Sequence, residues 1–122
     1  MIGFPPGTRV WLVAGATDMR RGFDGLCALV QNALGADAFS GQIFIFRGKR
    51  GDRIKILWFD SHGLCLFAKR LERSRFVWTQ AESGAVQLST AQLSMLLEGI
   101  DWRRAHRGAT DEEHAPRPTL SA

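Results

Sequence analysis

Nine cationic side chains crowd the stretch from Phe44 to Phe76: Arg47, Lys49, Arg50, Arg53, Lys55, Lys69, Arg70, Arg73 and Arg75. Its acids are Asp52, Asp60 and Glu72, so the stretch carries a net +6 in a chain whose total is +4. The basic character is therefore local. A local positive field on a rigid scaffold is the usual footprint of a polyanion site. Guanidinium groups pair bidentately with phosphate or with guanine edges. Trp58, Phe59 and Trp78 offer rings on which bases can stack. The nine cations are thus the candidate nucleic-acid-binding residues. The competing reading is that they only keep edge strands soluble.

Catalytic chemistry has a weaker footing. Metal-dependent phosphodiester cleavage needs convergent carboxylates. Asp18, Asp24, Asp52 and Asp60 fall at a helix start and in turns, where Asp serves as a cap or turn former. His62 and Cys65 have H-x-x-C spacing, but no second pair completes a zinc site. Cys65 is expected to point inward and His62 to sit in a turn, so they make no nucleophile–base pair. The glycines of RGKRGDR lack P-loop spacing. Their backbone N–H groups, with Lys49 and Arg50, can still hold a phosphate oxygen. No catalytic residue, metal ligand or cofactor is assigned, and the chain does not read as an enzyme.

The elements that must position the cations follow from periodicity. Arg9–Val13 alternates as a strand, with Val10 and Leu12 on one face and Trp11 and Val13 on the other, so it is expected to be covered on both sides. Thr17 and Asp18 are candidate N-caps for an amphipathic helix from Asp18 to Leu34, with an apolar stripe of Phe23, Leu26, Cys27, Val30 and Leu34. Gly35 suits its left-handed stop. Arg20 and Arg21 sit near that helix start, where the macrodipole disfavours cations. Strands are expected at Gly41–Arg47, Arg53–Phe59 and Leu64–Leu71, joined by the turns RGKRG and DSHG as an antiparallel meander. That geometry returns Lys69, Arg70, Arg73 and Arg75 to the RGKRG end. A further short strand is expected at Phe76–Trp78, and a turn at Ala81–Gly84. Ser89 and Gln92 form a capping-box pattern, and Leu88 with Leu93 a hydrophobic staple, for a second helix at 89–100. The fold class is α+β: an antiparallel sheet of four or five strands with two packed helices.

With 122 residues the chain is one domain, 45% hydrophobic and 23% charged, an ordinary soluble composition. Residues 1–102 read as that domain and 103–122 as a flexible polar tail. No run of eighteen apolar residues suggests a membrane span. The N-terminus lacks the pattern of a signal peptide, which points to the cytoplasm. Cys27 and Cys65 are expected to be reduced core residues.

Three stretches are recognisable. TDMRRGFDGLCALVQ, FRGKRGDRIKILWFDSHGLCLFAKRLERSRF and LSTAQLSMLLEGIDW resemble the small accessory protein of IS66-type insertion sequences, the TnpB or Orf2 family. This is not the RNA-guided nuclease that shares the name TnpB. The resemblance runs from about Val10 to Trp102; Gly22 and His62 depart slightly from its pattern. It implies a role in DNA transposition beside a separate, larger transposase that carries the catalytic carboxylates. Two function classes stand open: a DNA-binding accessory factor, and an adaptor that docks on the transposase without touching DNA. The resemblance supplies no catalytic residues.

Overall fold

A chain with two apolar faces on its central strands needs a cover on each side, and two helices provide it. The computed structural model describes residues 4–79, 84–103 and 119–120. The elements run β1 (Val10–Ala16), α1 (Phe23–Leu34), β2 (Ile43–Arg47), β3 (Arg53–Phe59), β4 (Leu64–Arg70), β5 (Ala85–Leu88), α2 (Thr90–Leu97) and β6 (Thr119–Leu120). Five strands form an open sheet in the order β4–β3–β2–β1–β5, and the two-residue β6 pairs with β5. The fold is α+β, and the sheet is mostly antiparallel. The expected meander is present as β2–β3–β4. One pair departs from it: β1 and β2 run parallel, with α1 crossing over between them.

Alternation along β1 sorts the core into two layers. Trp11 and Val13 pack with Leu26, Val30 and Leu34 of α1, and with Phe44, Phe46 and Leu57. Val10 and Leu12 pack on the other face with Ile43, Ile45, Ile54 and Ile56, beneath Leu93, Leu96 and Leu97 of α2. Each buried aliphatic side chain contributes roughly 1.5–3 kcal/mol. Three of them on α1 outweigh the about 1 kcal/mol that Gly25 costs inside the helix.

Helix ends are where expectation and structure part. α1 starts at Phe23 rather than Asp18, with Gly22 as an N-cap that has no side-chain capping bond. Asp18 does not cap because its carboxylate is held by Arg20, whose Nη2 donates to Oδ2 at 2.8 Å. Phe23, expected in the buried stripe, is 46% exposed. At the other end Gly35 adopts φ 62° and closes the helix on Gln31 and Val30 carbonyls, as its placement suggests. α2 keeps its capping box: Ser89 Oγ accepts from Gln92 N–H at 3.0 Å, and Gln92 Oε1 accepts from Ser89 N–H at 2.9 Å.

Phe76–Trp78 is not a strand. It is part of a strap that crosses the β2–β3 turn, anchored by Phe76 N–H donating to Gly51 O at 2.9 Å and Trp78 Nε1–H donating to the same oxygen at 3.0 Å. Phe76 fills the α2-side core, and Trp102 Nε1–H secures the strap by donating to Val77 O at 2.6 Å. The turn expected at Ala81–Gly84 lies, up to Ser83, outside the described residues. So does most of the expected tail, apart from Arg103 and β6.

Candidate nucleic-acid interface

The β2–β3 turn, Gly48–Asp52, is built to be rigid. Gly51 N–H donates to Gly48 O, and Gly48 N–H donates to Arg53 O, both at 3.0 Å. Two neighbouring segments lock onto it. From one side comes the strap, through Gly51 O and through Leu71 N–H donating to Asp52 O at 2.8 Å. From the other comes the loop after β1. Five residues of β1, Leu12 to Ala16, run opposite three of β2, Ile45 to Arg47. Gly15, at φ 78°, takes up that irregularity. Thr17 N–H then donates to Arg47 O at 2.7 Å, and Met19 packs against Gly48.

Between that loop and the turn lies a cleft of about 490 Å³, lined by Thr17–Arg20 and by Gly48, Lys49, Arg50, Asp52 and Arg53. Four cations face two carboxylates there. Asp18 is already neutralised by Arg20, and hydrogen bonds from that guanidinium and from Arg20 N–H hold its carboxyl well below the usual range. The remaining cations keep the cleft positive. Arg70 lies beside it, paired in register with Arg53 and bound to Glu72 at 3.1 Å in an exposed ion pair. Arg73 and Arg75 are exposed on the strap, with Arg75 packed along Gly51.

Two of the nine candidates point elsewhere. Lys55 Nζ donates to Arg21 O at 2.8 Å on the α1 face. Lys69 Nζ donates to Leu97 O at 2.7 Å on the α2 face, where it satisfies a helix-end carbonyl. They occupy opposite faces because β3–β4 register pairs Lys69 with Ile54, the neighbour of Lys55. Arg47 is intermediate: half-buried, its guanidinium lies 6.0 Å from the Trp78 ring centroid, a cation–π contact. The structure therefore brings together Lys49, Arg50, Arg53, Arg70, Arg73 and Arg75.

It also adds residues the charge count left out. Arg20 lines the cleft, Arg21 lies one residue on, and the exposed ring of Phe23 follows. The signal for the two arginines was their unfavourable place at a helix start. Of the rings proposed for stacking, Trp78 alone sits at this end. Trp58 and Phe59 are at the far end of β3, edge-on to Phe4 and Phe39.

His62 and Cys65 form no reactive pair. The Cys65 thiol points to Gly63 O at 3.9 Å, and burial pushes it above its usual value. Burial likewise raises the Cys27 thiol. Among the described residues, no three His, Cys, Asp or Glu side chains gather where a metal ion could be held. None of the described helices is long and apolar enough to cross a membrane.

Residues 8–107, which include β1 to β5, both helices and the cleft, match the family described as IS66 Orf2 like protein. The chain belongs to that family. Two proteins of Sinorhizobium fredii (strain NBRC 101917 / NGR234) are similar to it. Protein y4hO is 54% identical over 95 residues, 78% of this chain and 83% of its own length. Protein y4jC is 41% identical over 107 residues, 88% of this chain and 92% of its own. No solved structure matches the chain. Membership makes this IS66 Orf2 protein a transposition-associated accessory protein of an insertion sequence.

Proposed function

We propose that this IS66 Orf2 protein is a non-catalytic accessory factor that binds the DNA of its element through the cationic turn end of the sheet, alongside a separate transposase in the cytoplasm. The carrying observation is the convergence of Arg20, Lys49, Arg50, Arg53 and Arg70 around one rigid turn. Three chain segments far apart in sequence supply them. Phosphate contacts give salt-dependent affinity, and each one lost lowers the slope of log K against log salt by roughly 0.9. Charge reversal at Arg50, Arg53 and Arg70 should therefore reduce that slope by about 2–3.

The test is fluorescence anisotropy on a terminal-repeat duplex and a scrambled duplex at two salt concentrations. Salt-steep binding that prefers the terminus assigns end recognition; without preference it assigns general DNA binding. A triple variant that binds as tightly, with the same salt slope, refutes the reading. If the wild-type protein ignores both duplexes at low salt yet co-purifies with its transposase, the cationic end is instead a docking surface for acidic protein.

A further inference from the structure

The outer edge of β4 is a backbone surface that no described element pairs with. The other edge of the sheet is closed by Thr119–Leu120 on β5. β4 runs in unbroken register with β3, from Arg53 opposite Arg70 to Phe59 opposite Leu64. Hydrogen bonds at its two ends fix which groups face outward: Leu71 N–H donates to Asp52 O, and Asp60 N–H donates to Gly63 O. Stepping by two from those bonded pairs, Cys65, Phe67 and Lys69 turn their N–H and C=O toward β3. Leu64, Leu66, Ala68 and Arg70 present theirs outward.

Free edges of natural sheets are blunted by lysine, proline, a bulge or a cover. From Leu64 to Ala68 the strand has no charge and no proline. Leu64 and Leu66 sit half-buried on the α1 face, and Phe67 on the α2 face. Such a strand is a template for another strand, and the question is whose.

We propose that β4 pairs antiparallel with β4 of a second copy of this chain, about a two-fold axis at Leu66. The outward-facing backbone groups belong to even-numbered residues, so only even residues can exchange hydrogen bonds across the joint. With Leu66 on the axis, Leu66 meets Leu66, Leu64 meets Ala68 and Cys65 meets Phe67, apolar against apolar on both faces. Arg70 then lies across from His62 and diagonal to the acidic turn residue Asp60 of the second copy, which complements its charge. The next register, with Phe67 on the axis, sets Arg70 against Leu64 and Lys69 against Cys65 and loses that match. Antiparallel pairing places the two cationic turns at opposite ends of the joined strands, where each can hold a separate DNA segment. That use rests on the DNA-binding reading; the pairing itself does not.

Sedimentation equilibrium on the full chain, without DNA, tests it. The expected particle has twice the 13.6 kDa chain mass. Ala68→Pro removes one outward N–H per copy and none from the β3 ladder, a place where an edge strand accepts proline. It should weaken the dimer at least about tenfold with unchanged circular dichroism. In a Cys27→Ser, Cys65→Ser background, Leu66→Cys should crosslink two chains on mild oxidation. Facing residues of a hydrogen-bonded antiparallel pair have Cα atoms about 5.5 Å apart, within disulfide reach. If Ala68→Pro loses its native spectrum, the crosslink decides. A monomeric wild type, a dimer indifferent to a folded Ala68→Pro, or failure of Leu66→Cys to crosslink overturns the proposal. None of these outcomes bears on whether the chain binds DNA, so the two readings fail separately.

Discussion

Gly48 is the point where the cleft can be taken apart without touching a charge. A Cβ placed there would lie 2.9 Å from Met19 Cγ and 3.3 Å from Arg53 Cβ. Its backbone is not in the left-handed region, so the glycine is required by space alone. Met19 is half-buried with little room to retreat, since Thr17 N–H ties its loop to Arg47 O at 2.7 Å. Overpacking of this kind costs about 1–3 kcal/mol. For a domain near this size each kcal/mol lowers Tm by roughly 3–6 °C. Gly48→Ala should therefore lower Tm by about 3–18 °C. It should also weaken DNA binding by moving Arg20 away from Lys49 and Arg50. Met19→Ala removes the clashing atom at a modest packing loss, so the pair should be coupled. In a double-mutant cycle, Gly48→Ala should cost at least about 1 kcal/mol less in the Met19→Ala background. Urea unfolding of the four proteins measures this. Additive losses, or a Gly48→Ala protein as stable as wild type, would refute the claim that the two segments meet in this way.

Other perturbations separate structural cations from exposed ones. Lys69→Met keeps most of the side chain's bulk and removes the donor to Leu97 O. It should destabilise the fold by about 1–2 kcal/mol while leaving the salt slope of DNA binding unchanged, as denaturation and anisotropy on one sample can check. Asp60 supplies a pH test. Its carboxyl is lowered from an ordinary 3.8, first by the His62 N–H and then by the Gly63 N–H that it accepts. A depressed folded value means that the stabilisation is fully present above the ordinary carboxylate range and is lost as pH falls through it. Asp60→Asn keeps an acceptor oxygen without the titration. Between pH 5 and 3, the urea midpoint of the wild type should fall further than that of the variant; equal losses would show that the turn does not depend on the charge.

How much of this could be read from the sequence depended on whether the signal was local. Val10, Trp11, Leu12 and Val13 announced a strand covered on both faces, because a two-residue period is a property of the strand itself. Ser89 and Gln92 announced a helix start for the same reason. The first helix was misplaced by five residues because Asp18 has two uses, cap or ion pair, and only the position of Arg20 decides between them. Phe76–Trp78 has strand-like residues and no ladder; its backbone and its indole bond instead to one carbonyl, Gly51 O. Arg20 enters the cleft through the bend at Gly15, which lies outside any charge count. Lys55 and Lys69 were assigned to the patch because both carry charge. Their opposite directions follow only once Lys69 is known to face Ile54.

The distribution of the cations also bears on the solubility reading. If the lysines and arginines served only to protect a sheet edge, they would line the edge that stands open. Most of them do not. Of the edge that no described element pairs with, Leu64 to Ala68 is apolar, and only Lys69 and Arg70 stand at its end, beside the β2–β3 turn. Lys55 and Lys69 are bonded inward to backbone carbonyls, and Arg47 lies over a ring. Of the nine cations in that stretch, those left exposed gather at one turn, on segments tied to it by hydrogen bonds from both sides. Holding like charges close together costs free energy, modestly in water and more near a low-dielectric surface. A fold that fixes them there with backbone bonds has no solubility reason to do so, whereas a polyanion would turn that repulsion into attraction.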